Sequence, residues 1–235
     1  MVAAMPRPVL QIICLLVCPV LFGMMGSCSS VSLKKQTMAD DRLRKEILST
    51  VDSLYPDRFK AVHRVILTLF GKDYVLNGYL SVDRARNDLR VVAQSELGGD
   101  VFDVHYTGGG QARIVSRIGR IKNRHLEKTM VRDLRVLYLL KRKDLERGSL
   151  FRDQDGSPVL SVRNDGADIL LYFQKGVSDR TWRLRQINMA ENGKTDYMIR
   201  LEYGKNQKTG KYPSRIFVTD PAMHYSLNIS VSYLM

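Results

Sequence analysis

The side chains with the greatest chemical reactivity lie at one end of this chain of 235 residues. The sequence contains three cysteines, at positions 14, 18 and 28. A cysteine thiolate can act as a nucleophile, bind a metal ion, form a disulfide or carry an acyl group. No cysteine follows Cys28, so the body of the protein has no disulfide framework, no thiolate metal site and no cysteine nucleophile. Thiol chemistry is therefore confined to the first 28 residues.

Other motifs that carry chemistry are absent from the sequence or have the wrong spacing. The four histidines are isolated, which favours polar faces of strands over a metal site; they are residues 63, 105, 125 and 224. Five residues separate Gly204 from Gly210 where a phosphate-binding loop has four, and Tyr212 replaces its Ser or Thr. No Gly-x-Ser-x-Gly elbow is present, and carboxylates are scattered through turns. We therefore expect no catalytic residue, no metal and no cofactor.

The chain is strongly basic, with 37 Lys and Arg against 24 Asp and Glu, a formal net charge of +13. Acidic partners are therefore worth considering: nucleic acid, phospholipid or lipopolysaccharide head groups. The excess of basic residues is concentrated between Arg113 and Arg147, a segment that contains 12 basic and 4 acidic residues. Nucleic acid is the weakest of these candidates if the chain is secreted, as its N-terminus indicates.

The N-terminal segment has the pattern of a secretory signal peptide. Arg7 is the only charged residue before Lys34, and the run from Val9 to Met25 is almost wholly apolar. A membrane-spanning helix is the alternative, but such a helix needs about 20 apolar residues, and this shorter run contains Pro19. We therefore predict that this segment is removed as a signal peptide.

The end of this segment, Met25-Gly26-Ser27-Cys28, resembles the lipobox of bacterial lipoproteins. The resemblance implies cleavage between Ser27 and Cys28 and acylation of Cys28 as the new N-terminus; an ordinary signal peptide with an incidental cysteine is the alternative. Ser29, and not an Asp, follows Cys28. In lipoproteins of this kind such a neighbour is compatible with export to the outer membrane. Residues 1–27 are thus predicted to be a signal peptide and 28–38 a lipidated tether. The expected location is the outer membrane of a Gram-negative bacterium, lipid-anchored and facing the periplasm.

Residues 39–235 have the pattern of one mainly β domain with helices. A helix is predicted to begin at residues 39–41 and to end at Pro56. From His63 the apolar period becomes two, and glycine-containing turns divide residues 63–118 into five antiparallel strands. Six more strands follow over residues 159–233. Because a sheet of this size curls, the predicted fold is α+β: an incomplete antiparallel β-barrel of about 11 strands, with helices lidding its concave apolar side.

A basic amphipathic helix is predicted for residues 124 to about 143. Its apolar side chains lie within about 80° on a helical wheel; they are Leu126, Met130, Leu134 and Leu137. Its basic side chains lie opposite; they are Arg124, Lys128, Arg132 and Arg135. We expect the apolar set to face the concave side of the sheet, either lidding a cavity or packing as plain core. The basic set is expected to stay in solvent, where it can contact anionic lipid head groups.

The order of these elements resembles that of the LolA/LolB family of lipoprotein carriers and receptors. The most specific match runs from Asp88-Leu89-Arg90-Val91-Val92 through Leu97-Gly98-Gly99 to Val101-Phe102-Asp103-Val104, similar to the family's strand, Leu-Gly turn and strand. The segment from Pro213 to Asp220, followed by an alternating strand, is also similar. In that family the concave apolar side receives acyl chains, so the resemblance implies acyl-chain binding here.

Leu97 is predicted to project from the turn between two strands. Its neighbours Ser95, Glu96 and Asp100 are polar, so an apolar side chain at this tip is informative; a tip folded back on the sheet is the alternative. The resemblance implies an apolar residue on this turn that dips into the membrane. Leu97 is therefore expected to serve in membrane contact or cargo hand-off.

Two functions of different classes remain open. The first is a non-enzymatic, lipid-anchored envelope protein that binds acyl chains of lipids or lipoproteins in its half-barrel, with transfer to the outer membrane as one use. Its partners would be the membrane, through the N-terminal acyl chains, the acyl chains of cargo, and a periplasmic carrier; nucleic acid is not expected. The second is a structural or scaffolding outer-membrane lipoprotein with a filled barrel that binds an envelope protein. An apolar cavity of about several hundred Å³ would favour the first.

Overall fold

A computed structural model describes eight stretches of the chain: residues 40–108, 112–116, 130–140, 142–164, 166–176, 180–191, 194–204 and 212–234. Cys28 and the predicted signal peptide and tether lie outside these residues, and their processing stays a prediction. All the described elements lie within one compact unit, Lys34–Met235. This unit contains every described strand and helix together with their apolar core, which is what independent folding requires.

The first element is helix α1, Asp41–Asp52. Asp40 caps it, since its Oδ1 accepts a hydrogen bond of 3.0 Å from the backbone N–H of Leu43. Leu43, Ile47 and Val51 recur every four residues and bury one face of the helix. The helix ends four residues before Pro56, and Arg84 donates to the freed backbone oxygen of Asp52 at 3.1 Å.

Twelve strands follow the helix. They are β1 Arg58–Leu69, β2 Lys72–Asp83, β3 Asp88–Ser95, β4 Asp100–Tyr106, β5 Ala112–Ser116, β6 Ser149–Arg152, β7 Pro158–Asn164, β8 Ala167–Lys175, β9 Trp182–Glu191, β10 Lys194–Glu202, β11 Arg215–Asp220 and β12 Tyr225–Leu234. The predicted count was one too low, because β6 has only four residues and buries two adjacent ones, Leu150 and Phe151, so it shows no alternation.

All twelve strands form one antiparallel sheet in the order β5-β4-β3-β2-β1-β12-β11-β10-β9-β8-β7-β6. Two meanders, β1 to β5 and β6 to β12, are joined where the first strand pairs with the last. Among the described strands β5 and β6 are the two edges, so the sheet is open. The prediction of an incomplete antiparallel barrel with helices is thereby confirmed.

Alternation along each strand gives the sheet one apolar face. In β1 the side chains of Phe59, Ala61, Val65 and Leu67 are buried, and those of Arg58, Lys60, Arg64 and Ile66 between them are exposed. Helix α1 covers this apolar face at β9, and a short helix α3, Arg142–Glu146, covers it at β7. The two helices are tied to each other, since Arg142 Nη1 lies 2.5 Å from Asp52 Oδ2.

Helix α2, Arg132–Tyr138, covers the other half of the sheet, over β1 to β4 and β12. The single helix predicted for residues 124–143 was wrong: α2 and α3 are separate, and residues 124–129 lie outside the described part of the chain. Val136, Tyr138, Leu139 and Leu140 are buried as well as Leu134 and Leu137. A straight helix cannot bury side chains in all these directions against one sheet, so the chain turns after Tyr138.

Among the helices that the structure describes, none has the length and apolar character needed to cross a membrane.

Candidate functional site

The candidate site is a cavity between α2 and the inner face of the sheet. It has a volume of about 50 Å³ and is not fully enclosed. Its walls come from β1, β2, β3, β4, β12 and the residues at and just before α2: His63, Val65, Gly78, Leu80, Val91, Ala93, Phe102, Met130, Leu134, Tyr138, Leu227 and Ile229. This volume lies well below the roughly 300–1,000 Å³ of pockets that hold a small ligand. At this cavity, the described side chains therefore leave less space than such a ligand needs.

The cavity exists because two small residues lie side by side in the sheet. His63, Gly78, Ala93 and Phe102 are direct cross-strand neighbours on β1, β2, β3 and β4, and we call them the cavity row. A Cβ atom added at Gly78 would meet its nearest atom, Val65 Cγ2, at an ordinary contact distance of 3.4 Å. Because no close backbone approach there requires glycine, the absent side chain serves to leave space above the sheet.

His63 is the polar member of the cavity row. Only 7% of its surface is exposed, and neither ring nitrogen has a hydrogen-bond partner among the described residues. Burial lowers the pKa of this imidazole from 6.5 to about 4, so the ring is neutral at pH 7. The sequence interpretation of His63 as a residue on a polar strand face was wrong, because its side chain points to the apolar side. His105, by contrast, lies partly exposed with its Nε2 3.2 Å from Asp88 Oδ2.

The apolar side chains predicted for the lid lie partly at this cavity. Met130 and Leu134 line it directly, and Leu137 is buried in the surrounding core. Leu126 lies outside the described residues. Tyr138, at the end of α2, also lines the cavity, and its ring packs 4.9 Å from that of Tyr55 between ring centroids. The segment 130–138 thus forms the roof of the cavity.

Arg132 does not stay in solvent as predicted. Its Nη2 lies 2.7 Å from Asp220 Oδ2, its Nε lies 3.3 Å from Asp133 Oδ1, and its guanidinium stacks 4.3 Å above the ring centroid of Tyr197. The prediction was wrong because Asp220, at the end of β11, is itself buried and needs a cationic partner. Arg135 is half-buried over the ring of Tyr106, at 5.2 Å. Arg124 and Lys128 lie outside the described residues.

Asp133 is the most deeply buried charged residue of α2, with 1% of its surface exposed. Burial raises the pKa of this carboxyl from 3.8 to about 6, and Arg132 and the nearby hydroxyls of Tyr197 and Tyr225 oppose that rise. The Oδ2 atom and both hydroxyls lack hydrogen bonds of regular geometry within the described part of the chain. We call Arg132, Asp133, Tyr197, Asp220 and Tyr225 the latch cluster, since it joins α2 to β10, β11 and β12.

Solved structures share this architecture. A LolA superfamily protein from Nitrosomonas europaea matches with a TM-score of 0.55 and 13% sequence identity, over 81% of this chain and 92% of that chain. The chain has the LolA-like fold. A protein domain from Vibrio parahaemolyticus with a proposed role in outer membrane lipoprotein sorting matches with a TM-score of 0.48 and 11% identity, over 82% and 91% of the two chains. No family model and no curated protein matches the sequence. The predicted resemblance is confirmed for the fold, and function must be argued from the site.

Two turns at one end of this LolA-like sheet carry exposed apolar side chains. Leu97, between β3 and β4, exposes 99% of its surface, in agreement with the predicted exposure; its role stays a prediction. Phe70, between β1 and β2, exposes 73% and has a positive φ of 49°. Successive hairpins of a meander turn at alternate ends, so the β1–β2 and β3–β4 turns share one end. Sequence reasoning missed Phe70, although Phe-Gly at a hairpin position that favours Asn-Gly was a usable signal.

Proposed function

We propose that this protein is a non-enzymatic, lipid-anchored envelope protein that binds an acyl chain of a lipid or lipoprotein on the concave side of its sheet, beneath α2. The observation that carries the proposal is the cavity row, where the small residues Gly78 and Ala93 leave space above the apolar face of the sheet. Glycine inside a strand weakens the strand, so its presence at a point facing a cavity favours a ligand that approaches the backbone closely. The LolA-like fold supports the same proposal.

Binding of a whole acyl chain in this cavity requires α2 to move away from the sheet, because about 50 Å³ is too little space. Two features favour such a movement. Helix α2 has seven residues, about two turns, and no side chain in the described part of the protein caps its N-terminus. A helix of this length depends on packing for its stability, so exchanging one apolar partner for another is enough to displace it.

Anchoring and membrane contact complete the proposal. Cys28 would carry the acyl chains that hold the protein in the outer membrane, facing the periplasm. Leu97 and Phe70 would contact a bilayer from the same end of the sheet during cargo hand-off, and a periplasmic carrier would deliver the cargo. Arg124 and Lys128 stay candidates for contact with anionic head groups. Two exposed apolar tips at one end of a domain favour partial insertion into a lipid surface.

The proposal is tested with the unit Lys34–Met235, exported to the periplasm and purified without detergent. Native mass spectrometry should detect co-purified lipid, and the unit should bind the apolar fluorophore diphenylhexatriene. Gly78→Ala places a methyl group in the cavity and should weaken that binding, whereas Ser81→Ala, on the exposed face of the same strand, should not. Absence of lipid together with equal behaviour of both variants would contradict acyl-chain binding.

A scaffolding lipoprotein with a filled barrel is the second candidate, and the small cavity volume is the observation that favours it. In that case the concave side is core, and Gly78→Ala would raise the free energy of unfolding by better filling without changing any binding. The same pair of variants therefore separates the two functions.

A further inference from the structure

A neutral imidazole lies in the wall of the cavity, and no hydrogen bond from the described residues satisfies it. Only 7% of the surface of His63 is exposed, and both of its ring nitrogens lack hydrogen-bond partners among the described residues. Apart from His63 and Tyr138, the described residues that line the cavity are glycine, methionine or residues with hydrocarbon side chains. Leaving a buried polar group unsatisfied lowers stability, so leucine or phenylalanine would make a more stable wall.

Water is a poor substitute partner at this position. A buried water usually makes about three hydrogen bonds to polar groups of the protein. The cavity offers His63 and the hydroxyl of Tyr138, and the Tyr138 hydroxyl interacts with that of Tyr55. A ligand that brings its own polar group on an apolar chain matches this wall better.

We propose that His63 binds the carbonyl group of an acyl ester or amide whose hydrocarbon chain occupies the cavity. This inference rests on the proposed function and names the polar group of its ligand. A neutral imidazole has one N–H donor, which suits a carbonyl oxygen, and one acceptor nitrogen. Gly78 lies beside His63 in the sheet, so the space next to the ring is not blocked by a side chain.

The same chemistry disfavours a free fatty acid. A free fatty acid beside His63 would have to be buried as an anion against a neutral ring, to take up a proton that it has lost at pH 7.5, or to protonate a ring that burial keeps neutral. Esters and amides carry no charge and avoid all three costs. The ligand class is therefore a neutral acyl group, as found in diacylglycerol lipids and in acylated N-terminal cysteines of lipoproteins.

The test uses three competitors against diphenylhexatriene on the unit Lys34–Met235 at pH 7.5: methyl palmitate, palmitic acid and hexadecane. We expect methyl palmitate to bind most tightly. His63→Leu should weaken methyl palmitate binding about 5- to 10-fold, the loss of one neutral hydrogen bond, and leave hexadecane unchanged. His63→Gln, which keeps a donor and an acceptor, should restore much of the ester affinity. Val65→Ala, on the same strand and wall, should affect both competitors alike.

Separate outcomes identify what has failed. If neither the fluorophore nor any competitor binds, the proposed function and this inference both fail. If the fluorophore binds but His63→Leu keeps the full ester affinity, only the role of His63 is overturned. Nitrogen-15 shifts of the wild-type His63 ring on ester binding provide a measurement that needs no variant, and unchanged shifts would also overturn it.

Dipalmitoylglycerol and a dipalmitoyl-cysteine peptide then distinguish the sources of the acyl group. Tighter binding of the peptide indicates lipoprotein cargo, and tighter binding of the glycerolipid indicates membrane lipid. Both bind through ester carbonyls, so each should lose affinity in His63→Leu by a similar factor. If neither ligand loses affinity in His63→Leu, the inference is overturned.

Discussion

Two buried groups near α2 should affect stability in opposite directions as pH changes. The pKa of Asp133 is raised from 3.8 to about 6 in the folded protein, and that of His63 is lowered from 6.5 to about 4. Burial is the largest cause for both. Arg132, Tyr197 and Tyr225 face Asp133, whereas the described residues that line the cavity of His63 are apolar apart from Tyr138. The two titrations overlap between pH 4 and pH 6.

The signs follow from which state holds more protons. Between pH 3.8 and 6 the folded protein keeps the proton of Asp133 that the unfolded chain loses, so the free energy of unfolding falls as pH rises. Between pH 4 and 6.5 the unfolded chain binds a proton on His63 that the folded protein excludes, so the free energy of unfolding rises with pH. At 1.36 kcal/mol per pKa unit, each contribution is roughly 3 kcal/mol. In the wild-type protein they nearly cancel.

Single substitutions should uncover each contribution. Asp133→Asn removes the contribution that falls as pH rises. The free energy of unfolding of this variant, relative to wild type, should therefore rise by roughly 3 kcal/mol from pH 4 to pH 6. His63→Leu removes the contribution that rises with pH, so the free energy of unfolding of this variant, relative to wild type, should fall by a similar amount over the same range. Urea unfolding of the unit Lys34–Met235 at half-unit pH steps measures both, and subtraction of the wild-type curve removes the exposed carboxylates common to all three proteins.

A difference curve here is the free energy of unfolding of a variant minus that of the wild type, plotted against pH. Two single variants that give difference curves of the same slope, or of no slope, would refute this reasoning. The double variant is the control: its difference curve should be flat, because it lacks both groups. A change in the urea m-value would indicate an altered unfolded state rather than a titration.

Three further predictions concern the membrane. Cys28→Ser in the full chain should abolish palmitate labelling in cells, and unchanged labelling would contradict lipidation. Leu97→Glu should keep the melting temperature within a few degrees, as surface changes do, yet reduce co-sedimentation with anionic vesicles and transfer of bound lipid; wild-type vesicle binding would remove Leu97 from the membrane contact. Phe70→Asn should stabilise the β1–β2 hairpin by about 1 kcal/mol, because Asn tolerates positive φ better than Phe, while also reducing vesicle binding. A Phe70 variant that loses stability, measured by thermal unfolding, would place the ring in a structural role.

Strand patterns with one buried face were predictable from the sequence. In β1 and β2, buried and exposed residues alternate, and the turns between them contain residues that favour turns. Leu97 was predictable for a related reason, because a tip flanked by polar residues and glycine has nothing to cover it. These features depend on neighbours within a few positions along the chain.

The cavity row and the latch cluster were not predictable, because both depend on cross-strand register. His63, Gly78, Ala93 and Phe102 become neighbours only when four strands pair with one particular alignment. Arg132 and Asp220 are 88 residues apart, so a helical wheel of residues 124–143 could not contain the partner that removes Arg132 from solvent. A shift of one residue in any of these pairings would turn the whole strand over.

A small cavity beneath α2 is compatible with a carrier, and the energies involved explain why. An open apolar groove large enough for an acyl chain would leave several hundred Å² of hydrocarbon in water, which favours aggregation. Met130 and Leu134 cover that surface in the described state, at roughly 1.5–3 kcal/mol of burial each. Each buried methylene of a ligand contributes about 0.8 kcal/mol, so about four to eight methylenes offset the exposure of both side chains. Loading would then exchange one apolar cover for another at a small net free energy, and a carrier needs such a balance because it must release what it binds.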